Sequence, residues 1–185
     1  MKKINPFLWF DAEAEQAAKF YVGIFNNSKI GKIARYGEEA AQKTGRPAGS
    51  VMTVEFTLDR VEFVALNGGP QFKFSEAISF SVNCETQDEI DYFWEKLSAD
   101  GGSTGRCGWL KDKFGVSWQV NPVVLGDMLA DPDKPKAARV MKALMEMDKI
   151  DIAALEKAAR RNDNDERRMR TLTQTLFFRF THSGD

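Results

Sequence analysis

Short apolar runs alternate with helical stripes along the chain, and the order of these patterns repeats. Pro6 to Phe10 is aromatic and apolar and predicts a buried strand. Asp11 is placed to cap a helix whose apolar residues Ala14, Ala17, Ala18, Tyr21, Ile24 and Phe25 fall three and four apart. Asn26-Asn27-Ser28 ends it. Strand-like runs follow at Lys29 to Tyr36, Ser50 to Leu58 and Val61 to Leu66, the last two joined by Asp59-Arg60 at hairpin spacing. The first half therefore reads β-α-β-β-β.

The second half repeats that order. Ala77 to Val82 alternates Ile78, Phe80 and Val82 against Ser79 and Ser81, as a half-buried strand does. Thr86-Gln87-Asp88-Glu89 is a capping box, in which hydroxyl and carboxylate each satisfy an orphan amide at a helix start. Ile90, Phe93, Trp94 and Leu97 form the stripe of that helix, and Asp100-Gly101-Gly102 stops it. Short strands around Cys107 to Lys111 and Phe114 to Val120 close the unit. Laid over the first half, Ala77 falls on Asn5, Ile90 on Ala18, Phe93 on Tyr21, Leu97 on Phe25 and, at the last strands, Asn121 on Asn67. The extra residues of the first half fit the polar stretch Gly37 to Gly49, expected to be a long hairpin loop. Helical pieces follow Pro122: one with Val124, Leu125, Met128 and Leu129; a second over Pro132 to Met147 with Val140, Met141, Leu144 and Met145 on one face; and a third from Asp151 with Ile152, Leu155 and Ala159. Arg160 to Arg170 is dense in charge, and Leu172 to Phe180 ends in Leu-Phe-Phe-Arg-Phe. The expected division is 1–122 for the paired modules (about 1–70 and 75–122), 123–160 for a helical extension and 161–185 for a charged tail that is disordered, an arm exchanged in a dimer or non-native sequence.

Composition narrows the chemistry. With 26 basic and 27 acidic side chains in 185 residues, the charge gives no case for nucleic acid or an anionic membrane surface as a partner. The single histidine, His182, nearly excludes any mechanism needing two or three. Cys84 and Cys107 are too far apart in sequence for a CxxC motif and are expected as reduced thiols in or near a core. No apolar run is long enough for a membrane span, and Met1 to Pro6 lacks the features of a signal peptide, so a soluble cytoplasmic protein is expected.

The paired halves, Phe20-Tyr21 on the first helix, Leu66-Asn67-Gly68-Gly69-Pro70, Ala77 to Val82, and the run Gly108-Trp109-Leu110-Lys111-Asp112-Lys113-Phe114-Gly115-Val116-Ser117-Trp118-Gln119-Val120 closely resemble the PhnB-like family. That family carries the label 3-demethylubiquinone-9 3-methyltransferase and belongs to the vicinal oxygen chelate superfamily, with glyoxalase I and extradiol dioxygenases. The resemblance covers roughly residues 3 to 157. It implies an α+β fold of two β-α-β-β-β modules forming a cupped, eight-stranded mixed sheet of the glyoxalase/bleomycin resistance type, with C-terminal helices, in a homodimer.

Catalytic members of the superfamily hold a divalent metal on His and Glu side chains at four strand positions, so that adjacent substrate oxygens can bind it. The resemblance brings those positions near Pro6, Ala65, Ala77 and Gln119, where only Gln119 could ligate; no metal and no cofactor are expected. Asn67-Gly68-Gly69-Pro70 leads into Gln71-Phe72-Lys73-Phe74, which is no helix start, so the strand, Gly-rich turn and helix of a doubly wound S-adenosylmethionine site are missing. A small-molecule ligand in a metal-free cup is the leading expectation. Trp9, Asn67, Gln71, Phe72, Phe74, Ser79, Trp118 and Gln119 are the candidate ligand-binding residues. Trp9 and Trp118 fit core packing as well as a cavity wall, and Gln119 fits a structural amide as well as a polar anchor. Gln119 and Glu62 are the candidate catalytic groups, although Glu62 also fits the solvent-facing side of its strand. The alternatives are an enzyme of the glyoxalase/dioxygenase type, the methyltransferase of the family label, and an antibiotic-sequestering resistance protein.

Overall fold

β1 (Phe7–Phe10), α1 (Ala14–Ile24), β2 (Lys29–Arg35), α2 (Glu38–Thr44), β3 (Val51–Leu58) and β4 (Val61–Asn67) open the computed structural model, which describes residues 3–160. β5 (Phe80–Cys84), α3 (Gln87–Ser98), β6 (Ser103–Thr104), β7 (Trp109–Lys111) and β8 (Ser117–Pro122) follow. α4 (Leu125–Leu129), α5 (Lys134–Met145) and α6 (Ile152–Arg160) come last. The expectations on residues 161–185, including His182 and the stretch Leu172 to Phe180, lie outside the described residues.

The eight strands form two four-stranded sheets, ordered β1-β4-β3-β2 and β5-β8-β7-β6. Each sheet thus threads its strands in the same order, which is the duplication read from the spacing of apolar residues. In the first sheet β1 runs parallel to β4, while β2–β3 and β3–β4 are antiparallel. The β3–β4 hairpin turns on Asp59 and Arg60, both with positive φ (39° and 68°), the twist that a two-residue hairpin favours.

Several local expectations are corrected. Asp11 does not cap α1: no side chain of its own N-cap residue bonds the first turn, and the Asn67 side chain, 53 residues away, accepts the Ala14 amide at 2.8 Å. The stretch Gly37 to Gly49 is not simply a loop, because it contains α2, a helix with one buried residue, Ala41, and hence no apolar stripe to betray it. β5 starts at Phe80 rather than Ala77, and Ile78 is 76% exposed. The face assignment of Val82 nevertheless holds, since Val82 and Cys84 are buried on alternate positions. The α3 capping box forms with a shift: the Thr86 hydroxyl accepts the Glu89 amide at 3.2 Å, but the Glu89 carboxylate accepts from Glu85, one residue earlier than Thr86.

The described chain divides into two compact units. The first holds the residues up to Phe80 with Phe93–Thr104 and Leu110–Gln119. Its core is aromatic: Tyr21 stacks at 6.2 Å from Phe56, Phe56 at 5.2 Å from Phe63, and Phe25 at 5.5 Å from Trp118. The small residues Ala14, Ala17 and Ala18 are fully buried on α1, which lets its backbone lie close to β3 and β4.

The second unit holds Ser81–Tyr92, Gly105–Trp109 and the described residues from Val120. There Ile90, Val120, Val140, Ile150 and Leu155 have no exposed surface. The Gln87 side chain donates to the Ile150 carbonyl and accepts the Ile152 amide, which satisfies the start of α6. Met141 and Met145 were expected on the buried face of α5, but they are 44% and 53% exposed; Val140 and Leu144 alone of that set face inward. Among the described residues no helix is long and apolar enough to cross a membrane.

Candidate functional site

In the first unit the end of β1, the lip that follows β4 and the turn between β7 and β8 enclose a cavity of about 600 Å3. Trp9 and Phe10 come from β1, Phe72 and Phe74 from the lip, and Phe114 from the turn. Trp9 packs edge-on against Phe72 with ring centroids 5.0 Å apart, and Phe10 against Phe74 at 5.1 Å. The Trp9 indole N–H donates to the Gly69 carbonyl at 2.8 Å, which fixes the ring against the lip. A Cβ on Gly68 would stand 2.3 Å from that ring, and Gly69 sits at φ 111°, so the two glycines are needed for Trp9 and the lip to meet.

Asp11, Glu13, Lys73, Asp100 and Lys113 are the charged residues that line the cavity. Asp11 accepts from Arg46, in the segment after α2, at both its carbonyl and its carboxylate, at 2.6 and 2.7 Å. Lys113 meets Asp100 at 3.1 Å and lies 4.5 Å over the Phe20 ring. Glu13 accepts the Ala12 amide at 2.9 Å.

A polar centre that sequence reasoning did not single out lies in the core of the same unit. Asp112 is 3% exposed and accepts four hydrogen bonds: the Tyr21 hydroxyl and the Trp118 indole, each at 2.8 Å, on one oxygen, and the Phe114 and Val116 amides, at 2.8 and 3.1 Å, on the other. Burial raises its carboxyl above the ordinary value, against these four donors, which pull it down. Tyr21 is pushed well above its usual range by burial and then by the neighbouring carboxylate. The signal was one acidic residue in Lys111-Asp112-Lys113, which reads as a solvated turn. Its donors hold the turn that presents Lys113 and Phe114 to the cavity.

Trp9, Phe72 and Phe74 are therefore brought together, and the other candidates fall elsewhere. Asn67 is 7% exposed and borders a second cleft of about 450 Å3, with Arg46 and Ser50; its amide nitrogen donates to the Val51 carbonyl at 3.0 Å. Gln71 is exposed, its side-chain oxygen beside Gly69. Ser79 and Gln119 pair with each other, the Gln119 amide donating to the hydroxyl at 2.8 Å. Trp118 is 3% exposed in the aromatic core. Glu62 is exposed on β4, while its neighbour Phe63 is buried.

Neither group suggested by the resemblance fits these residues. Pro6, Ala65 and Ala77 offer no side-chain donor, which leaves at most the one neutral amide oxygen of Gln119, too weak a set to hold a metal ion. Among the described residues no three His, Cys, Asp or Glu side chains are grouped to hold a metal ion. The space above Gly68, where a Gly-rich turn would receive S-adenosylmethionine, is filled by the Trp9 ring and that above Gly69 by the Gln71 side chain, and no helix follows the turn. Both cysteines are free, and burial, with the Glu89 carboxylate, pushes the Cys84 thiol up to about 12, so it stays protonated.

Two sheets of identical strand order, each begun by a strand and a helix, define a fold of the glyoxalase/bleomycin resistance type. The family described as 3-demethylubiquinone-9 3-methyltransferase matches residues 2–121, and the chain belongs to that PhnB-like family. Among solved structures, the PhnB protein from Bacillus cereus is 36% identical, with 65% of this chain and 99% of that one covered and a TM-score of 0.58. A protein from Pseudomonas aeruginosa is 20% identical, covers 66% and 98%, and has a TM-score of 0.53; that likeness is one of fold alone. No curated protein matches the chain.

Proposed function

We propose that this PhnB-like protein binds a small planar molecule in the aromatic cavity of its first unit, without a metal or a methyl donor. The observation that carries this reading is the joining of Trp9, Phe72 and Phe74 around one cavity of about 600 Å3, a size suited to a small organic ligand. Phe72 is 65% exposed, a poor arrangement for a core residue and a good one for a wall awaiting a partner. The apolar side chains of Ile4, Phe7 and Ile78, 89%, 59% and 76% exposed, support a homodimer as the working form. The two free thiols support a reducing, cytoplasmic setting.

The test is a calorimetric titration of the full chain with 2-naphthamide, a neutral bicyclic probe. Saturable binding with a dissociation constant below about 1 mM is expected, weakened roughly threefold or more by Phe72→Ala. Absence of saturation, or an unchanged affinity in the variant, would overturn the reading. Light scattering of the same sample checks the dimer, and a single-chain mass would remove it.

A further inference from the structure

We infer that the planar ligand is an aromatic carboxylate and that Lys73 takes its anionic group. The inference rests on the reading of the aromatic cavity as a ligand site, and it comes from the charges around that cavity taken in turn. Asp11 is held by Arg46, and Asp100 by Lys113. Lys113 is further committed to the face of Phe20. Glu13 turns its carboxylate to the backbone amide of Ala12 at the start of α1, where the positive end of the helix also offsets its charge. Lys73 is left: it lines the cavity, is exposed, and has no ion-pair partner among the described residues.

Its position in the chain strengthens the case. Lys73 lies between Phe72 and Phe74, whose rings rest on Trp9 and Phe10, so the lip that supplies two aromatic walls carries the cation with them. Aromatic walls alone bind a flat molecule without fixing which end points outward. One cation at the rim fixes it, and an acid joined to a ring is the chemistry that uses both features. A carboxylate left at the rim also stays partly hydrated, which avoids the penalty of burying it.

Ligand-observed NMR on the full chain can test this with 2-naphthoate and its neutral isostere 2-naphthamide. The acid is expected to bind about two- to fivefold more tightly than the amide, the size of a partly exposed ion pair. The preference should shrink with added salt and vanish in Lys73→Gln. Equal affinities in the native chain would overturn the carboxylate assignment. So would a preference that survives Lys73→Gln and disappears in Lys113→Gln. In both cases, an amide affinity still weakened by Phe72→Ala leaves the aromatic site standing. Failure of both probes to bind removes the site and the inference together.

Discussion

α1 and α3 occupy the same place in the two β-α-β-β-β repeats, but their polar groups are satisfied in opposite ways. α3 is capped from within its own first turn by Thr86 and Glu89. α1 borrows its cap from Asn67 at the end of β4, and its Tyr21 hydroxyl reaches Asp112, 91 residues on. The residues that align with them differ accordingly. Phe93 stands where the first repeat has Tyr21 and has no hydroxyl to satisfy, while Asn121, over Asn67, donates to Ser81 at 3.4 Å. A shared strand order therefore fixes where a helix lies and leaves open how its amides and hydroxyls are paired. In the first repeat the long-range solution ties α1 to the residues that frame the aromatic cavity.

The largest effect should come from Asp112. Replacing it by Ala strips one carboxylate from four donors, and a loss of roughly 3 to 5 kcal/mol of stability is expected in denaturant melts. Its pH dependence has a definite sign. Because burial raises the carboxyl, the folded chain holds the proton more tightly than the unfolded one, and this group's contribution to stability falls as pH rises from the ordinary carboxylate range through the raised native value. The stability lost in Asp112→Asn should therefore be greatest near about pH 4 and smaller near about pH 7. A loss that grows with pH would show that the four donors outweigh desolvation.

Smaller effects separate the two caps. Asn67→Ala removes a cap and a bond to the Val51 carbonyl, and should cost about 2 kcal/mol. Thr86→Ala removes one cap bond at an exposed helix start and should cost about 1 kcal/mol. Equal losses would erase the distinction between a borrowed cap and a local one.

These contrasts explain what the sequence revealed and what it hid. The repeat was legible because Ala18, Tyr21 and Phe25 have partners at Ile90, Phe93 and Leu97 at one constant offset, and burial imposes that periodicity. α2 was hidden because a helix with only Ala41 buried has no stripe. The α1 cap was hidden because capping signals are sought within a few residues, and Asn67 acts across the sheet. Three of the rings around the cavity, Trp9, Phe72 and Phe74, were legible as aromatic residues flanking a Gly-Gly-Pro turn. Phe10 and Phe114 were not, since strand alternation sets Phe10 opposite Trp9 and nothing local brings Phe114 to them.

The indole N–H signals of the four tryptophans report on the central claim most directly. Trp9 lines the cavity with its N–H on Gly69, whereas Trp118 is buried with its N–H on Asp112. In a nitrogen-15 correlation spectrum titrated with 2-naphthoate, the Trp9 signal should move to saturation while that of Trp118 stays in place. A Trp9 signal that does not move, or one that moves only together with Trp118, would contradict a ligand site built on the aromatic lip.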